Sequence, residues 1–483
     1  MKQWLMLGAL MALMCSSPMT VWAAEEFTPA QQEEIRKMFK EWQKNERMIG
    51  GRMTEIPPPT EEMPALGDTK KETVTYGGTF TGGGALQGGR TVYAKPFVKS
   101  PKTIVGGYMD FTISDCNGNT RDCSRGLEFD QERFVPFFYS QVTNYLSVAA
   151  ELEIEHGGPQ GNQGDGDIKM EFATMDYRVA DAFNLRGGII LIPMGRFNLI
   201  HDSPLNDLPL RPMVSRLLIP STFAESGFGF FGTVYPTQLS KVDYEFYITQ
   251  GFDGDATSTS TSGTGAMGDP VTRTTTRDFT SGNGLRSIRG SFKKDNNENK
   301  AIVSRVSISP ILGVEVAGSI HHGKWDDRGK NDLTITAVDG LLQRGPFEIM
   351  GEASWVSVEG GTQTESGGTP PANMDGYYVQ GNYHFMPEWL KQWAPNHFTD
   401  ASTFTGIVRW GQVDTNSDIS TNANQIDRLT LGLNFRPVED SVIKFAYTWN
   451  DHHSYATLNP GKIGSASDPG AANGWQVSAA TYF

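Results

Sequence analysis

The chain has almost no cysteine and no long apolar run, and each absence narrows what it can be. Cysteine occurs three times in 483 residues, as Cys15, Cys116 and Cys123, so no disulfide framework organises the fold. No stretch reaches the roughly 18 uninterrupted apolar residues that a membrane-spanning helix needs. The sequence holds no GxSxG turn, no HExxH helix and no phosphate-binding loop. Positive charge is in the minority: 41 Lys and Arg stand against 55 Asp and Glu, for a formal charge of −14. Such a balance argues against nucleic acid or an anionic surface as partner.

What is present begins with an address. Lys2, the apolar run Trp4 to Met14, and the small residues of Val21-Trp22-Ala23-Ala24 ahead of Glu25 read as an export signal over residues 1–24. Met14 stands where a lipoprotein would need a small residue before Cys15. In an oxidising compartment Cys116 and Cys123 are expected to pair and staple a polar loop. Residues 25–60 carry a periplasmic amphipathic helix, with Ile35, Met38, Phe39, Trp42 and Ile49 at helical spacing. Its apolar stripe needs a partner, either copies of itself in a coiled coil or its own chain. Pro57, Pro58, Pro59, Pro64 and the glycines between Gly77 and Gly89 make residues 61–100 a linker.

From residue 101 to 483 the pattern changes to strands. Alternation places them at 104–114, 127–140, 145–156, 168–179, 185–196, 224–234, 241–252 and 299–309. The second half follows at 312–323, 331–341, 346–358, 374–386, 402–414, 425–437, 440–451 and 473–483. Connections alternate in length. Tight turns lie at 142–144, 309–311, 343–346 and 437–440, and long polar loops at 253–298, 359–373 and 452–472. A short helix at 386–401 interrupts the tight side. The expected fold class is all-β: a transmembrane antiparallel β-barrel of 16 strands, preceded by the helical segment.

The faces of single strands support this. Leu146, Val148, Ala150, Leu152 and Ile154 alternate with Ser147, Glu151, Glu153 and Glu155. Leu429, Leu431, Leu433 and Phe435 alternate with Arg428, Thr430, Asn434 and Arg436, and Ile443, Phe445, Tyr447 and Trp449 with Lys444, Thr448 and Asn450. The same parity turns Lys169, Glu171, Arg305, Glu315, Glu352 and Arg409 inward, so these with the other charged residues are the expected lumen lining. A charge on the lipid side costs about 2–4 kcal/mol at the midplane, which is the reason for such sorting. A barrel this wide can hold an aqueous channel.

One loop differs from the rest. Residues 197–223 mix Leu199, Ile200, Leu205, Leu208, Leu210, Val214, Leu217, Leu218 and Ile219 with prolines and charges. Such a segment avoids bulk water, so it is expected to fold into the barrel and narrow it, or else to cap the rim or meet a neighbouring subunit. Arg211, Arg216, His201, Asp202 and Asp207 are the candidates for the constriction. His201, Asp202 and Ser203 are adjacent in sequence and unsuited to a catalytic relay. The pairs His321-His322 and His452-His453 would be split by strand alternation, so neither a metal site nor an enzyme is expected.

The chain resembles the phosphate-selective porin O and P family over roughly residues 127–483. That family has a strand of the form Gly-Gln-Phe-Lys-Val-Pro-Phe-Gly before its folded-in loop, and this chain has Gly188-Ile189-Ile190-Leu191-Ile192-Pro193-Met194-Gly195. Asp176-Tyr177, Glu352 and Arg409 also sit in similar contexts. The resemblance implies a 16-stranded trimeric porin of the Gram-negative outer membrane, in contact with lipid and lipopolysaccharide. The family's lysine is Leu191 here, so phosphate selectivity does not carry over. The expected function is passive diffusion of small hydrophilic solutes or ions through a water-filled pore, with no cofactor. The alternative is a barrel that serves as sheath or docking scaffold for a partner protein.

Overall fold

The computed structural model describes residues 102–117, 125–159, 166–254, 284–293, 295, 297–361, 370–418, 424–452 and 473–483, with short backbone segments elsewhere. The export signal, the N-terminal helix, most of the linker, Cys123, His453 and much of the three long loops lie outside the described residues. Two units divide the chain, Met1–Ala94 and Lys95–Phe483. In the first, Thr75–Tyr76 pairs with Phe80–Thr81; in the second, apart from the barrel, Ser260–Thr264 pairs with Pro270–Thr274.

Sixteen antiparallel strands close into a barrel. They are β1 (Lys102–Cys116), β2 (Glu128–Gln141), β3 (Leu146–Glu155), β4 (Ile168–Ala180), β5 (Phe183–Leu191), β6 (Ala224–Val234), β7 (Lys241–Thr249) and β8 (Ala301–Ser309). There follow β9 (Val314–Lys324), β10 (Asp332–Arg344), β11 (Phe347–Val358), β12 (Asn373–Phe385), β13 (Thr403–Asp414), β14 (Gln425–Val438), β15 (Ser441–His452) and β16 (Gly474–Tyr482). Each pairs with its sequence neighbour, and β16 returns to β1. All sixteen expected strands are present. The strand expected over 185–196 stops at Leu191, because Pro193 has no N–H for the ladder and Gly195 turns the chain at φ +65°. The strand expected over 241–252 stops at Thr249, ahead of Gly251 at φ +85°.

Phe483 sits on the seam. Its N–H donates to the Gly107 carbonyl at 2.9 Å, its own carbonyl accepts from the Gly107 N–H at 3.2 Å, and its ring stacks on Phe134 at 5.5 Å. A Cβ on Gly107 would lie 2.4 Å from the Val135 carbonyl oxygen and 2.7 Å from the Phe483 ring. Glycine is what lets the last residue lie flat across the closure. Cys116, at the far end of β1, is disulfide-bonded.

The outward positions are apolar from strand to strand. Val306, Val316, Ile349, Val408, Leu431 and Ile443 are each more than 40 % exposed, which would be costly in water and suits hydrocarbon. One end of the barrel has tight connections, such as Asp181-Ala182, Gly345-Pro346 and Glu439-Asp440. At that end, helix α3 (Glu388–Trp393) fills the longer link between β12 and β13, with Trp389 and Trp393 exposed. The longest connections, 192–223, 250–300 and 453–473, all lie at the other end. Leu431→Arg should therefore cost about 2–4 kcal/mol, and Leu431→Phe almost nothing, in denaturant unfolding from lipid vesicles.

Candidate functional site: the loop inside the barrel

Between β5 and β6, residues 192–223 leave the wall and run through the interior. The turn-in depends on Gly195, whose Cβ would lie 2.5 Å from the Glu352 carboxylate of β11. Two short helices follow, α1 (Gly195–Leu199) and α2 (Val214–Leu217). Neither is long enough to be stable alone, so outside contacts must hold them.

Asn198 ties the two ends of the loop together. Its Nδ2 donates to the carbonyls of Ile192 (2.7 Å) and Phe223 (3.0 Å), and its Oδ1 accepts from Phe223 N–H (2.9 Å) and Ser221 Oγ (3.0 Å). It is fully buried, so these bonds form away from competing water. Further along, the wall supplies donors and acceptors to the loop in turn. Arg196 pairs with Glu315 of β9 at 3.1 Å, and the Phe197 N–H donates to Glu352 at 3.1 Å. His201 Nε2 meets Glu171 of β4 at 3.1 Å, and the Tyr482 hydroxyl of β16 donates to Asp202 at 2.8 Å.

Three long cations then hold loop carbonyls: Lys444 donates to Ser203 (2.6 Å), Arg436 to Pro204 (2.7 Å) and Arg409 to Leu210 (2.7 Å). Asp207 accepts from Arg436 (3.2 Å), Asn434 (3.0 Å) and Asn382 (2.8 Å). From the segment beyond β7, Arg286 and Arg289 donate to the carbonyls of Ser221 (3.0 Å) and Thr222 (2.8 Å). A bond to a charged group contributes about 1.5–3 kcal/mol, so the loop is strongly seated.

The interior is layered. Around the first half of the loop the wall is polar, as just described. Toward the long-loop end, Val303, Leu333, Ile335, Val356, Met374, Val413 and Ile426 point inward and pack with Met213, Val214, Leu218, Ile219 and Phe223 of the loop. Leu285, Ile288, Phe252 and Trp325 complete that core. Expecting the inner face to be polar throughout overlooked this apolar half. Each side chain fully buried there contributes about 1.5–3 kcal/mol.

The five constriction candidates occupy different surroundings. His201 is buried, Asp202 and Asp207 are partly exposed and bound as above, and Arg211 and Arg216 are partly exposed. Burial disfavours the charged His201 imidazole, but the carboxylates of Glu171 and Asp202 outweigh it and hold its pKa above the ordinary value. Burial pushes the Asp202 carboxyl up, against the pull of His201 and Tyr482. Among the lumen candidates, Glu171, Glu315, Glu352, Arg409 and Lys444 touch the loop directly. Others pair along the wall: Arg305 with Asp339 (2.5 Å), Arg428 with Asn450 (2.6 Å), and Lys169 with Glu153 and with Glu155 (3.0 Å). Glu151 is buried beside Glu171. Asn198, Asn382, Tyr482, Arg286 and Arg289 carried no signal in the sequence as loop anchors.

A closed barrel of this strand number and connectivity is a porin-type fold. No family model matches the chain. An uncharacterized protein of Aquifex aeolicus (strain VF5) is 24 % identical over 367 residues, covering 72 % of this chain and 76 % of that one. Among solved structures, Salmonella typhi OmpF in complex with daunomycin superposes with a TM-score of 0.50 at 8 % identity, over 80 % of this chain and 99 % of that one. The anion-selective porin from Comamonas acidovorans gives 0.47 at 12 % identity, covering 79 % and 99 %. The outer membrane channel DcaP of Acinetobacter baumannii gives 0.46 at 10 % identity, covering 79 % and 97 %. At 8 % identity the likeness to OmpF is one of fold.

Asp207→Ala would remove three side-chain bonds between loop and wall at once, those from Arg436, Asn434 and Asn382. We expect the variant to lose about 1.5–3 kcal/mol of loop seating and to become cleavable by protease within 203–211, where the parent chain resists.

Proposed function

We propose that this chain is an outer-membrane porin, a channel for passive diffusion of small hydrophilic solutes or ions. The observation that carries the reading is the loop held inside the barrel by bonds to β4, β9 and β11–β16. A segment fixed across the lumen sets the width of any passage beside it, and charges on it bias the ions that pass. In this reading Arg211, Arg216, His201, Asp202 and Asp207 shape the narrow zone. The apolar outward belt supports residence in a bilayer, and a trimer of such barrels, bordered by lipid and lipopolysaccharide, is part of the proposal.

The finer kinship to the phosphate-selective O and P porins rests on the Gly188, Pro193 and Gly195 frame. Both glycines are needed for packing: a Cβ on Gly188, at φ +127°, would lie 2.1 Å from the Ala173 carbonyl oxygen. Gly195 and Glu352, two pieces of that resemblance, are in contact. The frame thus seats a loop whatever the solute, and Leu191 argues against phosphate as the preferred one.

Planar-bilayer recording tests the reading. Stepwise conductance is expected from the wild type, and Arg211→Ala with Arg216→Ala should shift the reversal potential in a salt gradient toward cations. A wild type that stays silent, and remains silent when Asp207→Ala loosens the loop, would overturn the channel and favour a scaffold.

A further inference from the structure

We propose that Glu151 of β3 with His201 and Asp202 of the inner loop forms a binding site for one divalent transition-metal ion, which fastens the loop to the barrel wall. One ligand atom from each lies within 4.8 Å of the others. Metal bonds of about 2.0–2.2 Å to nitrogen and oxygen put neighbouring ligand atoms roughly 3–4 Å apart, so small side-chain rotations close the site.

The tautomer of His201 is set by its surroundings. Nδ1 lies 2.9 Å from the Asn198 carbonyl, which can only accept, so Nδ1 carries a proton. A histidine whose other nitrogen is fixed on a carbonyl in this way is oriented as metal ligands commonly are. Nε2 faces Glu171 at 3.1 Å and Asp202 at 3.9 Å. A lone pair turned toward two carboxylates needs a cation between them, either a second proton or a metal.

The charge around it leaves room for more than a proton. Glu151, Glu153, Glu171 and Asp202 are gathered there, and the carboxyl groups of Glu151 and Glu153 both meet Glu171. Lys169, Arg211 and Arg133 are the fixed cations that reach them, and Lys169 is shared with Glu155 and Arg133 with Asp110. Among the buried polar atoms without a hydrogen-bond partner in the described residues are Glu151 Oε1, on a residue 5 % exposed, Glu153 Oε1 beside it, and the hydroxyl of Tyr108, a fully buried side chain in the field of Glu171, Asp202 and Glu153. A buried carboxylate oxygen without a donor is expensive, and a bound cation removes that cost. One imidazole with carboxylates suits zinc, manganese or nickel better than calcium or magnesium, which favour all-oxygen shells. The site is independent of whether the barrel conducts.

The test uses the full chain in detergent micelles, stripped with chelator and dialysed against Zn²⁺. One tightly held zinc per chain is expected, together with regained protease resistance of residues 197–211 in the Asp207→Ala variant and no competition from equal Mg²⁺ or Ca²⁺. Glu151→Gln and Asp202→Asn should each weaken binding by more than about 10-fold while the barrel keeps its β-sheet circular dichroism. Zinc X-ray absorption on the wild type should report nitrogen and oxygen ligands at about 2.0–2.1 Å with one imidazole, whether or not a variant folds. Zinc bound equally by wild type and both variants, zinc not bound at all, or a shell without imidazole would overturn the site and leave a proton as the occupant of His201 Nε2.

Discussion

Lys444, Arg436 and Arg409 each donate to a main-chain carbonyl of one loop, and the interior depends on that exchange. Lys444 and Arg409 are buried against the loop, so neither charge reaches bulk water, and loop carbonyls away from water need donors. Each solves the problem of the other. The loop needs no regular structure of its own, because the wall provides the partners that a helix or sheet would otherwise supply. Asn198 makes this possible by closing the loop at its base, so that the segment enters and leaves the wall as one unit.

The apolar layer fixes which way the loop lies. Met213, Val214 and Leu218 on its second half pack with Leu333, Ile335 and Val356, while its first half bonds to the polar wall. Turning the segment over would bury carbonyls against aliphatic side chains and face leucines toward arginine. Hydrogen bonding sets position and hydrophobic packing sets orientation.

Much of the barrel was legible from alternation, because lipid on one side and charge on the other produce a period of two that survives in strand after strand. Strand ends at Leu191 and Thr249 were less so, since the apolar run continues past the last ladder bond into the loop. The apolar half of the lumen could have been found by parity. Leu333, Ile335 and Ala337 share a face with Asp339, and Val356 and Val358 share one with Glu352, so an inward acid commits its aliphatic neighbours to the inside as well. The loop itself stood out by composition, which announced burial but not partners. Asn198 looks like any loop asparagine, and only folding brings Tyr482 to Asp202 across 280 residues of chain.

The central claim is that the loop borders the path taken by solutes. Its most direct test is the current through single barrels carrying Arg211→Cys before and after a bulky, charged thiol reagent is added. The account predicts a stepwise fall in conductance on modification at this position and no change for Asp440→Cys at the tight-turn rim. Equal conductance before and after modification of Arg211→Cys would contradict it.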